Sequence, residues 1–278
     1  MGIKIDGKRL AQDIREELKK QVENINNNQD VKLCMANILV GNDGGSQFYI
    51  RNQNKLCHAL GIKVKSINLD ECIKEEELLN IINELNNDNE VKGIILQLPL
   101  PKHLDESKIT SAIDINKDID GLSSISVGKL YKGEKCFVPC TPRGIIELIK
   151  TCDIDIEGSN AVVIGRSNIV GKPVAQLLLN ENATVTICHS KTKNLKEICL
   201  NADILVSAIG KPHFITKDYV KEGAVVIDVG TSSVNGKMVG DVCFDEVIEK
   251  AAYVTPVPGG VGAMTTTMLI KNLCEGLK

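Results

Sequence analysis

Apolar runs recur along this chain at 33–40, 62–69, 93–98, 161–164, 184–188, 204–208 and 224–229. Helix-period patterns at 7–22, 75–85, 143–150, 172–179 and 264–274 lie among them. Most of the runs are continuous rather than alternating, which is what a strand buried on both faces looks like. Strands of that kind separated by helices make a parallel sheet with helices on either side. The fold class is therefore α/β. A stretch at 117–142 rich in Gly, Asp, Ser and Lys divides two such series, so two α/β domains are expected.

With 278 residues, each domain can have its own core. A net charge of −3 excludes the strongly basic surface of a nucleic-acid binder. No apolar run reaches the ~18 residues of a membrane span. The first residues lack a signal-peptide core, and a cytoplasmic location is the expectation. Ten cysteines are scattered without Cys-x-x-Cys spacing, as in Cys136 and Cys140, so neither a metal site nor a disulfide framework is expected.

The second domain opens with Asn160-Ala161-Val162-Val163-Ile164-Gly165-Arg166-Ser167-Asn168-Ile169-Val170-Gly171-Lys172-Pro173. This reads as an apolar strand, a glycine turn and a helix with proline in its first turn. Free N–H groups at such a helix start face an anion, the arrangement that cradles a dinucleotide pyrophosphate. The spacing departs from G-x-G-x-x-G, and a tight βα turn that binds nothing has the same pattern. The next strand ends at His189-Ser190-Lys191-Thr192-Lys193. An NAD site usually carries a carboxylate there for the ribose diol. Lysines and hydroxyls, with Arg166 in the preceding turn, favour a 2′-phosphate, so the expected cofactor is NADP.

Two strings, Gly165 to Pro173 and Pro256-Val257-Pro258-Gly259-Gly260-Val261-Gly262, resemble the two signatures of the FolD family, the methylenetetrahydrofolate dehydrogenase/methenyltetrahydrofolate cyclohydrolases. Gln97-Leu98-Pro99-Leu100-Pro101, Lys117-Asp118-Ile119-Asp120-Gly121 and Pro139-Cys140-Thr141-Pro142 match further family motifs in order. The resemblance implies two α/β domains flanking a cleft, the second a Rossmann-like doubly wound parallel sheet. It implies a folate-binding catalytic domain at 1–120 joined by a C-terminal helix at 262–278, a linker at 121–141, and an NADP domain at 142–261. A homodimer acting on a tetrahydrofolate derivative in one-carbon metabolism follows from it.

By the same resemblance Tyr49 stacks on the folate, Asp120 holds the pterin, Gln97 is an active-site glutamine, and Pro258 and Gly259 line the substrate site. Gly165, Arg166, Ser167, Ser190 and Thr231 fall at cofactor contacts. No metal is implied. Ala263 stands where proline is usual, Thr231 where isoleucine is usual, and Asp43-Gly44-Gly45-Ser46 replaces a more common Pro-Ala-Ser, which would loosen the loop before the Tyr49 helix.

The largest departure is Gln53, four residues after Tyr49, where the family carries a catalytic lysine. Lys55 is two residues on, about 200° round the helix, and faces elsewhere. Hydride transfer from the N–CH₂–N bridge moves no proton, whereas hydrolysis of the resulting cation does. A lysine can exchange a proton near neutrality and an amide cannot. Dehydrogenase activity is therefore expected to persist and cyclohydrolase activity to be lost or weak. A bifunctional enzyme is the alternative, and a non-catalytic NADP/folate-binding protein is another.

Overall fold

The structure, a computed structural model, describes residues 1–28, 32–42 and 44–276. The chain opens with strand β1 (Ile3–Lys4) and helix α1 (Gly7–Asn28). Next come β2 (Cys34–Val40), α2 (Gly44–Leu60), β3 (Lys63–Leu69), α3 (Glu75–Asn87), β4 (Gly93–Leu96), α4 (Glu106–Ser111) and α5 (Ser124–Lys132). The second series is α6 (Cys140–Ile149), β5 (Asn160–Ile164), α7 (Gly171–Asn180), β6 (Thr184–Cys188), α8 (Leu195–Cys199), β7 (Ile204–Ser207) and β8 (Val225–Asp228). It closes with β9 (Ser232–Val234), β10 (Lys237–Val239), α9 (Phe244–Val247), β11 (Tyr253–Val254) and α10 (Val261–Glu275). Two compact units result: Met1–Asp13 with Pro139–Met268, and Ile14–Val138 with Leu269–Lys278.

The second of these, here the central unit, is built on a three-stranded parallel sheet in the order β3-β2-β4. All seven residues of β2 are buried, as its continuous apolar run requires of a middle strand covered on both faces. Leu78, Ile82 and Leu85 of α3 pack on one face with Ile38, Ile94 and Leu96. Gly93 is needed on β4 because Ile119 and Leu273 lie where its side chain would stand, Ile119 at 2.6 Å.

The first, the nucleotide unit, holds a six-stranded parallel sheet in the order β1-β11-β8-β7-β5-β6. The chain runs from β5 outward to β6, then returns to the far side of β5 as β7. That reversal is the switch point at which doubly wound sheets bind ligands. Val162, Ile164, Leu205, Val226 and Val254 form the core beneath it.

The division differs from the expected one at both ends. Residues 1–13 belong to the nucleotide unit, because Ile3 and Lys4 pair in parallel with Tyr253 and Val254. A two-residue strand with both side chains exposed leaves no apolar run to read. Helix α10 passes from one unit to the other at Met268. The expected linker at 121–141 contains α5, whose first turn is capped by Ser123 Oγ accepting from Ser126 N–H and whose end is Gly133 at φ +68°. The β9–β10 hairpin turns on Asn235-Gly236, both at positive φ.

Helix α1 runs to Asn28, and residues 29–31 lie outside the described ones. Asp43, within the loop expected to be loose, is likewise outside them; Gly44 already begins α2. All ten cysteines are free, and burial pushes the Cys57 and Cys199 thiols up to about 12. Among the described residues no helix is long and apolar enough to cross a membrane.

Candidate active site

In the central unit Gln53 and Gln97 meet, and Tyr49 and Asp120 belong to the same unit. Helix α2 carries Tyr49 and Gln53 one turn apart. Tyr49 is 40% exposed while Gln53 is 8% exposed, so the ring faces outward and the amide is drawn inward. Lys55 is exposed, away from that buried position. Gln97 follows β4, its backbone N–H donating to Ile38 O at 2.9 Å, and its side chain is half-buried. The segment around Asp118 adds to the same sheet through a parallel bridge between Ile94 and Asp118. The chain turns directly after that bridge, Gly121 N–H donating to Asp118 O at 2.9 Å, and Asp120 in this turn is half-buried.

A residue the sequence reading passed over joins these groups. Asn37, in the middle of β2, is 1% exposed. Its Nδ2 donates to Gln53 Oε1 at 2.8 Å, and its Oδ1 accepts from Gln97 Nε2 at 3.1 Å. Gln97 Nε2 also donates to Gln53 Oε1 at 3.1 Å. Three amides thus close a ring of hydrogen bonds containing no ionisable group. The ring stays neutral at every physiological pH and can orient water or substrate without exchanging a proton. The available signal was Asn37 itself, a lone polar residue inside a continuous apolar strand.

Lys117 and Asp118, shortly before the expected Asp120, hold structure. Asp118 is 2% exposed and accepts from Leu122 N–H, Ser123 N–H and Ser126 Oγ–H. Burial raises its pKa, partly offset by those donors. Lys117 Nζ donates to the carbonyls of Leu85, Asn86 and Asp88, capping the end of α3.

The nucleotide unit carries the remaining residues. Gly165 ends β5 at φ +130°, and the space for a side chain there is filled by Ala208 O at the end of β7. Ser167 Oγ accepts from Val170 N–H and Gly171 N–H, each at 3.2 Å, which sets the turn into α7. Arg166, Ser167, Ser190 and Thr231 are exposed at the carboxyl ends of β5, β6 and β8. His189 serves the turn after β6: its Nδ1 accepts from Lys191 N–H at 3.1 Å. Pro258, exposed, and Gly259, at φ +109°, also belong to this unit, so Tyr49, Gln53, Gln97 and Asp120 form one group and these two belong to the other unit.

Two buried carboxylates hold the loops around that switch point, and the sequence reading missed both. Asp241 accepts from Ser207 Oγ–H, Ile209 N–H and Lys211 N–H. Asp228 accepts from Gly230, Asp241 and Val242 N–H groups. Burial pushes the Asp228 carboxyl up to about 6 against the pull of those donors.

An all-parallel sheet with a glycine turn at its switch point, in a chain that also carries a smaller α/β unit with a polar cluster, defines a two-domain dinucleotide-binding protein. The comparisons with known proteins narrow this. The catalytic-domain profile of tetrahydrofolate dehydrogenase/cyclohydrolase matches residues 5–120, and the NAD(P)-binding-domain profile of the same enzymes matches 139–278. A protein of Clostridium novyi (strain NT) named bifunctional protein FolD is 99% identical over 278 residues, covering 100% of both chains. The crystal structure of the bifunctional FolD dehydrogenase/cyclohydrolase from Campylobacter jejuni superposes with a TM-score of 0.97 at 45% identity, covering 99% of this chain and 98% of that one. A Trypanosoma brucei FolD structure, complexed with NADP cofactor and inhibitor, gives 0.93 at 39% identity, covering 98% and 96%. The chain belongs to the tetrahydrofolate dehydrogenase/cyclohydrolase family. The names of these relatives carry both activities, so the expected loss of hydrolysis finds no support in them and the bifunctional alternative does.

Proposed function

We propose that this protein oxidises 5,10-methylenetetrahydrofolate with NADP⁺ and then hydrolyses the methenyl product to 10-formyltetrahydrofolate. The observation that carries the reading is family membership across the whole chain together with a near-identical relative named for two activities. NADP rather than NAD is supported by Arg166, Lys191 and Lys193, exposed around a strand end with no carboxylate at 189–193. The protein as it works would be a cytoplasmic homodimer, which light scattering on the purified chain checks.

When bound, NADP⁺ supplies the hydride acceptor. Tyr49 gives the folate a ring to lie against, and Asp120 accepts from the pterin N–H groups. Hydride loss from the bridge carbon leaves an amidinium cation, a step that needs alignment and no proton transfer. Hydrolysis then begins with water oxygen bonding to that carbon while the C=N π pair moves onto nitrogen. One proton passes from the water to solvent. The adduct's remaining O–H proton then leaves as the C=O bond forms and the C–N5 bond breaks, N5 takes up a proton, and the formyl group stays on N10; two protons leave the water and one goes to N5, so the sum releases one proton. With glutamine at 53, water held by the amides carries these protons.

One observation favours a second reading, a dehydrogenase alone: the Asn37–Gln53–Gln97 ring has no group that titrates near neutrality. Positioned acid–base catalysis typically contributes 10²–10⁴-fold, and an amide forgoes it. Both reactions measured on the same preparation decide between the readings. Methenyl hydrolysis comparable to NADPH formation supports two activities. Hydrolysis at the buffer rate, restored by Gln53→Lys, supports one.

A further inference from the structure

Asn37 is the unexpected member of the ring, since a buried amide on a middle strand costs stability unless both its ends are paired. Here both are: Nδ2 meets Gln53 Oε1 at 2.8 Å and Oδ1 meets Gln97 Nε2 at 3.1 Å. Asn37 reaches both glutamines from β2, whereas Gln53 comes from α2 and Gln97 from the end of β4. With Gln53 Oε1 and Gln97 Nε2 used inside the ring, the ends left over are Gln53 Nε2 and Gln97 Oε1. They are a donor and an acceptor on neighbouring side chains.

We propose that Asn37 is a positioning residue for the hydrolytic step, locking Gln53 and Gln97 so that one donor and one acceptor of the pair face the folate. The inference rests on the reading above that these two glutamines face the substrate. The acceptor holds the attacking water by one O–H, and the donor meets the oxygen or nitrogen on which electron density grows. Two acceptors or two donors could not do both. Without Asn37 only the 3.1 Å Gln97–Gln53 bond remains, and each amide turns more freely.

Asn37→Val removes both ring bonds while suiting a buried strand. Asn37→Asp offers only acceptors, so it keeps Gln97 Nε2 and repels Gln53 Oε1, turning Gln53 over and leaving two acceptors outward. Expected for Asn37→Val is a roughly tenfold fall in kcat for methenyl hydrolysis, with dehydrogenase kcat within about twofold of the parent. Asn37→Asp should lower hydrolysis at least as far and add a pH-dependent limb absent from the parent. A parallel readout needs no turnover: the side-chain amide protons of Gln97, followed by ¹⁵N NMR, exchange slowly in the parent and fast in Asn37→Val. Equal loss in both reactions, or no loss in either, overturns the inference. A parent without hydrolysis overturns the bifunctional reading instead; the amide protons then decide, and unchanged exchange in Asn37→Val sinks the role of Asn37.

Discussion

The Asp228 carboxylate occupies the place where a side chain on Gly240 would stand, and Asp241 occupies the same place over Gly230. Each aspartate thus lies against a glycine close to the other, Gly240 directly before Asp241 and Gly230 two residues after Asp228. Gly230 N–H and Asp241 N–H both donate to Asp228 Oδ1, at 3.0 and 2.9 Å, so the two loops are tied through one oxygen. Gly240→Ala should destabilise the protein by about 3 kcal/mol or more, since backbone and a buried charge would both have to move. Thermal denaturation checks it, with Gly236→Ala as a hairpin control whose side chain meets nothing within 4 Å but is strained at φ +75°.

Asp228 also makes stability depend on pH. Its pKa rises from 3.8 to about 6, chiefly through burial. The folded protein therefore holds a proton that the unfolded chain has given up. The contribution of Asp228 is fully present below about pH 4, falls as pH rises through 6, and is constant above that. The stability difference between the parent and Asp228→Asn, from urea unfolding at steps between pH 4 and 8, should shrink across this window. A difference that grows with pH would contradict it.

Ser167 sets the turn between β5 and α7, accepting from two N–H groups at the start of α7. Ser167→Ala should cost about 1 kcal/mol of that local order and weaken NADP binding roughly fivefold with little change in melting temperature. Arg166→Ala should weaken NADP binding and leave NAD binding nearly unchanged, because only NADP carries the 2′-phosphate. Fluorescence titration with both nucleotides separates the two roles.

Lys117 ends α3 by reaching three carbonyls, at 2.7 to 2.9 Å. Lys117→Met keeps the aliphatic stem and removes the donors, at a cost of about 2 kcal/mol. Denaturant unfolding should register that loss, while the kcat of either reaction at 25 °C stays within about twofold of the parent.

The strands buried on both faces, such as β2, β4, β7 and β8, were legible as continuous apolar runs, and the more exposed edge strands β3 and β6 as alternating ones. β2, β3 and β4 begin within a residue of their expected starts. β1 and β11 were not, since two-residue strands owe their pairing to the sheet they join and carry no pattern of their own. The tight turn from β5 to α7 was legible from Gly165 and Gly171, whose missing side chains leave room for Ala208 O and Gly165 O. Asp228 and Asp241 were not, because nothing local distinguishes a carboxylate that will be buried under a distant loop from one that will be solvated. Gln53 stood out by its position in the motif. Its partners at 37 and 97 depend on three elements meeting, which adjacency in the chain does not reveal.

Turning all three amide planes of the Asn37–Gln53–Gln97 ring by half a revolution keeps every hydrogen bond and swaps its direction. Gln53 then offers oxygen outward and Gln97 offers nitrogen. The ring is in this sense a reversible template with two hands of equal internal bonding, and its occupant chooses between them. A cation newly formed by hydride loss can be met by an oxygen at 53, and the water adduct that follows by a nitrogen. A protonated lysine at the same place, able only to donate, would have a single hand.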